Sequence, residues 1–150
     1  MALEAWARAL EGRITPAAKL HLTLAFLGMV EPGKAITAAR RVKASSSVLP
    51  IDRAGYWRDN RIVWVGPRET PAALKALVEL LQRELRRADY ELDSRPYAAH
   101  VTLLRSAPRP SELPPLPKVE WPVHEFTLVR SSVSSKGSAY DLVERFALAR

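Results

Sequence analysis

The tetrapeptide pattern His-x-Thr-Leu occurs twice in this chain of 150 residues, as His21-Leu22-Thr23-Leu24 and His100-Val101-Thr102-Leu103. Each copy sits in an apolar, strand-like stretch, and together they use two of the three histidines in the protein. Strand side chains alternate between faces, so residues i and i+2 point the same way. His21 and Thr23 therefore share a face, as do His100 and Thr102, while Leu22, Leu24, Val101 and Leu103 take the other. A single histidine on a strand is most simply a packed or edge residue. A matched pair in one polar context describes a cleft floor. If the two strands lie face to face, two imidazoles and two hydroxyls converge on one volume.

The rest of the chain supports an α+β fold. Leu3, Trp6, Ala7 and Leu10 recur at helical spacing, with Gly12 as a C-cap. Leu20 to Leu27 reads as a strand closed by Gly28 and the Glu31-Pro32-Gly33 turn, and alanine-rich Lys34 to Ala44 as a helix. Leu49 to Arg58 and Arg61 to Val65 read as a hairpin around Asp59-Asn60. Thr70-Pro71 predicts a helix N-cap and N1, ahead of the stripe Leu74, Leu77, Val78, Leu81 and Leu85. Ala98 to Leu104 is a strand, proline-rich Ala107 to Lys118 a loop, and Val123 to Arg130 and Ala139 to Leu148 two closing strands around Ser131 to Ser138. Hairpins punctuated by helices exclude a doubly wound parallel sheet.

Composition narrows the chemistry. With 47% hydrophobic and 26% charged residues the chain is an ordered globular domain. The absence of cysteine excludes disulfides, thiolate metal sites and a cysteine nucleophile. A net charge of +7 favours polyanionic partners. No apolar run is long enough to span a bilayer, and acidic Glu4 stands where a signal peptide would be basic, so a cytoplasmic monomer is expected. Neither motif carries a carboxylate at ligand spacing and His124 lacks a matching partner, which speaks against a metal site. No cofactor is implied: there is neither a glycine-rich phosphate loop nor a nucleophile elbow. Trp57, Trp64 and Trp121 are candidates for stacking on a base, and equally for sheet packing.

Two imidazoles with two hydroxyls suit in-line displacement at phosphorus. One neutral ring takes a proton from water while the other, protonated, gives one to the departing oxygen. The threonines hold non-bridging oxygens.

These residues resemble the RNA 2′,3′-cyclic phosphodiesterases, also called 2′-5′ RNA ligases, of the two-histidine phosphoesterase superfamily. The matching stretches are HLTLAFLG from His21, DRAGYWRDNRIVWVGP from Asp52, RPYAAHVTLLR from Arg95 and FTLVRS from Phe126, with Gly137 and Tyr140 in a G-x-x-Y element. The resemblance implies a single domain over residues 1–150. Its two pseudo-symmetric lobes of antiparallel sheet, with outer helices, would flank an active-site cleft walled by the two motifs. It implies metal-free hydrolysis of RNA or nucleoside 2′,3′-cyclic phosphate ends to 2′-phosphates. His21 would be the acid and His100 the base, with Thr23, Thr102 and Arg105 on the substrate and ligation as the reverse reaction. Strand parity turns Arg105 away from His100 unless the strand ends or bulges after Leu103. Two departures stand out: the chain starts within the first helix, without the family's N-terminal strand, and Ala99 replaces a common proline. A non-catalytic nucleotide-binding module, or an enzyme with another phosphodiester substrate, remains open on the sequence.

Overall fold

In a computed structural model, residues 2–28, 30–134 and 137–150 are described. They form helices α1 (Ala2–Ala7), α2 (Pro32–Arg40) and α3 (Ala72–Arg87) and strands β1 (Arg13–Ile14), β2 (Ser47–Ile51), β3 (Arg53–Trp57), β4 (Ile62–Gly66), β5 (Val101–Arg105), β6 (Val119–Val123), β7 (Glu125–Ser134) and β8 (Gly137–Ala147). The fold is α+β with antiparallel pairing. The chain divides into two compact units, one of residues 1–24, 49–70 and 98–121 and one of residues 25–48, 71–97 and 122–150. Both His-x-Thr segments belong to the first unit.

The first unit is built on a four-stranded sheet in the order β1-β5-β4-β3. Its core face carries Val63, Val65, Val101, Leu103 and Leu104, each no more than 2% exposed. Full burial of such side chains contributes about 1.5–3 kcal/mol each. Helix α1 lies against β5, buries Leu3, Trp6 and Ala7, and is tied to the proline-rich loop where Trp6 Nε1 donates to Pro114 O at 3.0 Å. The helix ends sooner than its apolar spacing suggests. Gly12, at φ +134°, turns the chain beside Ala107 instead of capping it. Asp52 separates the expected first hairpin strand into β2 and β3. Its carboxylate accepts the Arg68 backbone N–H at 2.7 Å, which fixes the bend. β2 then pairs with β6, a strand that the proline-rich surroundings conceal in the sequence.

In the second unit α2 and α3 pack together. Ala35, Ala38 and Ala39 of α2 are buried, as are Leu74, Leu77, Val78, Leu81 and Leu85 of α3. Pro71 is the N-cap of α3, one residue later than the Thr70 cap expected, and no side chain caps the helix. Long strands β7 and β8 form a hairpin stitched by Phe126 stacked on Phe146 at 4.9 Å. Of the connection expected at Ser131 to Ser138, Ser135 and Lys136 lie outside the described residues, as does Met1.

Gly66 anchors the strand end next to His100. A Cβ there would lie 2.5 Å from Ala99 O, against backbone that cannot swing aside. Gly66→Ala should therefore cost about 1–3 kcal/mol. That lowers Tm by roughly 2–4 °C per kcal/mol in thermal unfolding. Gly33→Ala, where a Cβ meets nothing within 4 Å, should leave Tm the same or slightly higher.

Candidate active site

The first motif is not a continuous strand. After β1 the chain leaves the sheet edge through a 3-10 turn at Ala17–Lys19 and returns where Leu22 forms an antiparallel bridge with Val101. This single bridge sets the register of the site. With Leu22 opposite Val101, His21 stands opposite Thr102 and Thr23 opposite His100, all four on the face away from the core. The segments thus lie edge to edge rather than face to face, and still converge their polar groups. The histidines occupy one diagonal of the four-cornered patch and the threonines the other. Diagonal neighbours across such a pair are ~7–8 Å apart, enough to place one phosphate between them.

The two imidazoles are held alike. His21 Nδ1 lies 2.8 Å from Lys19 O, and His100 Nδ1 lies 3.0 Å from Ala98 O. A carbonyl oxygen only accepts, so each Nδ1 carries the proton, which makes Nε2 the basic nitrogen of the neutral ring. The same i−2 carbonyl serves both rings.

Trp57 meets His100 edge to face, ring centroids 4.6 Å apart at 73°, and packs on Trp64 at 5.4 Å. Trp64 is the β4 neighbour of Thr102, and its indole lies over Gly55, where any Cβ would collide with the ring. Arg53 places its guanidinium 5.5 Å from the Trp64 ring centre. Trp57 and Trp64 thus border the site, while Trp121 lies on β6. The sequence holds no sign of which tryptophan touches a histidine, because that depends on the β3–β4–β5 register.

Arg105 reaches the same face through a bulge. β5 pairs Val101 with Val65 and Thr102 with Trp64, but Leu104 with Val63, so the register shifts by one residue. Val63 and Val65 both face the core, hence Val101 and Leu104 do too, although an odd number of residues separates them. Buried Leu103 and Leu104 are the doubled positions, and the parity flip returns exposed Arg105 to the face of Thr102. Among the described residues no group of three or more His, Asp or Glu side chains is placed to hold a metal ion, and no helix is long and apolar enough to cross a membrane.

The carbonyl contacts predict the tautomer of both rings. Long-range ¹H–¹⁵N NMR at a pH where the rings are neutral should find His21 and His100 protonated on Nδ1, against the Nε2–H form that free imidazole side chains prefer. An Nε2–H signal at either ring would contradict this geometry.

Comparison with known proteins identifies the family. The family model of the 2′-5′ RNA ligase superfamily matches residues 2–134. An RNA 2′,3′-cyclic phosphodiesterase of Escherichia coli is 39% identical over 142 residues, covering 91% of this chain and 80% of the relative. One from Geobacillus stearothermophilus is 33% identical over 143 residues, 85% of this chain and 45% of that protein. The crystal structure of E. coli LigT complexed with 3′-AMP superposes with a TM-score of 0.90 at 34% identity, covering 99% of this chain and 90% of that one. The chain belongs to the 2′-5′ RNA ligase superfamily.

Proposed function

We propose that this protein hydrolyses RNA or nucleotide 2′,3′-cyclic phosphate ends to 2′-phosphomonoesters, using His21 and His100 as its two proton-transfer groups. The observation that carries this reading is the diagonal of imidazoles across a diagonal of threonines. An in-line displacement needs the entering and leaving oxygens on opposite sides of phosphorus, and a histidine at each end of one diagonal suits that demand. The non-bridging oxygens then fall toward Thr23 and Thr102, and Arg105 supplies positive charge from the same face.

In the reaction, water attacks phosphorus as His100 Nε2 removes its proton. The P–O3′ bond breaks, and protonated His21 Nε2 delivers a proton to the 3′ oxygen. The product carries a 2′-phosphate and a 3′-hydroxyl, and the histidines end in exchanged protonation states that solvent resets. With the 5′-hydroxyl of a second RNA in the role of water, the same steps break P–O3′ and make a 2′-5′ link, and their reversal re-forms the cyclic phosphate and releases the 5′-hydroxyl. The assignment of His21 as acid and His100 as base follows the family pattern. The bond lengths to Lys19 and Ala98 treat the rings alike.

The test is turnover of a nucleoside 2′,3′-cyclic monophosphate in EDTA. Wild type should yield the 2′-phosphate, read by ³¹P NMR. His21→Ala and His100→Ala should each lose on the order of 10²–10⁴-fold in kcat. A folded wild type that binds the nucleotide without turning it over would instead favour a binding module.

A further inference from the structure

The strand register that brings Arg105 to the site face also brings a second arginine beside it. β1 pairs Arg13 directly with Arg105, followed by Ile14 with Leu104. Directly opposed residues of an antiparallel pair project on the same side, with Cβ atoms about 4.5–5.5 Å apart. Both arginines are exposed. No ion pair or hydrogen bond among the described residues engages either guanidinium. Like charges in this position disfavour the folded state. A sheet edge that tolerates them is set up for an anion.

Resting on the hydrolytic reading above, the geometry points to Arg13 as a second guanidinium on the substrate phosphate, forming with Arg105 a clamp selective for a phosphate dianion. The charge count gives the clamp its role. The cyclic diester carries one negative charge. When water adds and His100 takes its proton, the pentacoordinate phosphorane carries two, and the 2′-phosphomonoester keeps a second charge above its second ionisation. Two guanidinium groups therefore hold the transition state and the product more strongly than the substrate. Arg105 lies three residues along β5 from Thr102, about 10 Å of strand at most, and long flexible side chains span that gap. Arg13 thus acts on kcat and on product release more than on substrate KM.

The experiment pairs a stability readout with a kinetic one in wild type, Arg13→Gln and Arg13→Lys. In chloride buffer, Arg13→Gln should melt at the same temperature as wild type or higher, because a repulsion is removed. Inorganic phosphate at matched ionic strength should raise the Tm of wild type and do so clearly less for Arg13→Gln. With the cyclic mononucleotide, Arg13→Gln should lower kcat and raise the Ki of the 2′-phosphate product, each on the order of tenfold, with KM within about twofold. Arg13→Lys should recover part of both effects. An identical phosphate-induced Tm rise in wild type and Arg13→Gln would overturn the clamp, as would an unchanged product Ki. If wild type turns over no cyclic phosphate, the hydrolytic reading fails, and the phosphate Tm comparison still decides the clamp on its own.

Discussion

One backbone bridge, between Leu22 and Val101, holds the candidate site together. The segments around it come from distant parts of the chain and are irregular on one side, and this bridge aligns them. A slip of one residue would turn every side chain of one segment to the opposite face. The diagonal of histidines would then be lost and a histidine would enter the core. Buried Val101 and Leu103 oppose such a slip, because their removal from the core carries the cost of exposing large apolar side chains. The hydrophobic alternation of β5 and the polar constellation above it are thus two consequences of one register.

The β5 bulge is the second constraint. A regular strand would put Arg105 on the core side, where an unpaired guanidinium is prohibitive. By doubling Leu103 and Leu104 on the buried face, the strand keeps its core filled and re-aims the next residue into solvent above the site. β1 then pairs beyond the bulge, which is why Arg13 lands beside Arg105. The matched motifs give both rings the same i−2 carbonyl contact, and Trp57 adds an edge-to-face contact on His100.

Much of the site could be read directly from residue types and parity: the His-x-Thr pairs, their shared face, and the requirement for a bulge after Leu103. α3 was equally legible, since its apolar stripe is long and regular. What stayed hidden depends on tertiary pairing. Two-residue β1 is too short to show a period, and β6 lies against a proline-rich loop. The stretch Leu20 to Leu27 has strand composition, but among the described residues its ladder pairing is a single bridge at Leu22. Arg13 carried no local signal because its meaning comes from Arg105 across the ladder. Gly55 and Gly66 likewise become intelligible only against the Trp64 ring and the Ala99 carbonyl that approach them.

The division of proton transfer between two histidines is tested most directly by the pH dependence of kcat/KM for a nucleoside 2′,3′-cyclic phosphate in wild type, His21→Ala and His100→Ala. A neutral base and a protonated acid acting together give a bell in wild type. The residual activity of His100→Ala should lose the acidic limb, which reports the base, and that of His21→Ala should lose the alkaline limb, which reports the acid. Both limbs surviving in either variant would contradict the account, and exchanged limbs would reverse the two roles.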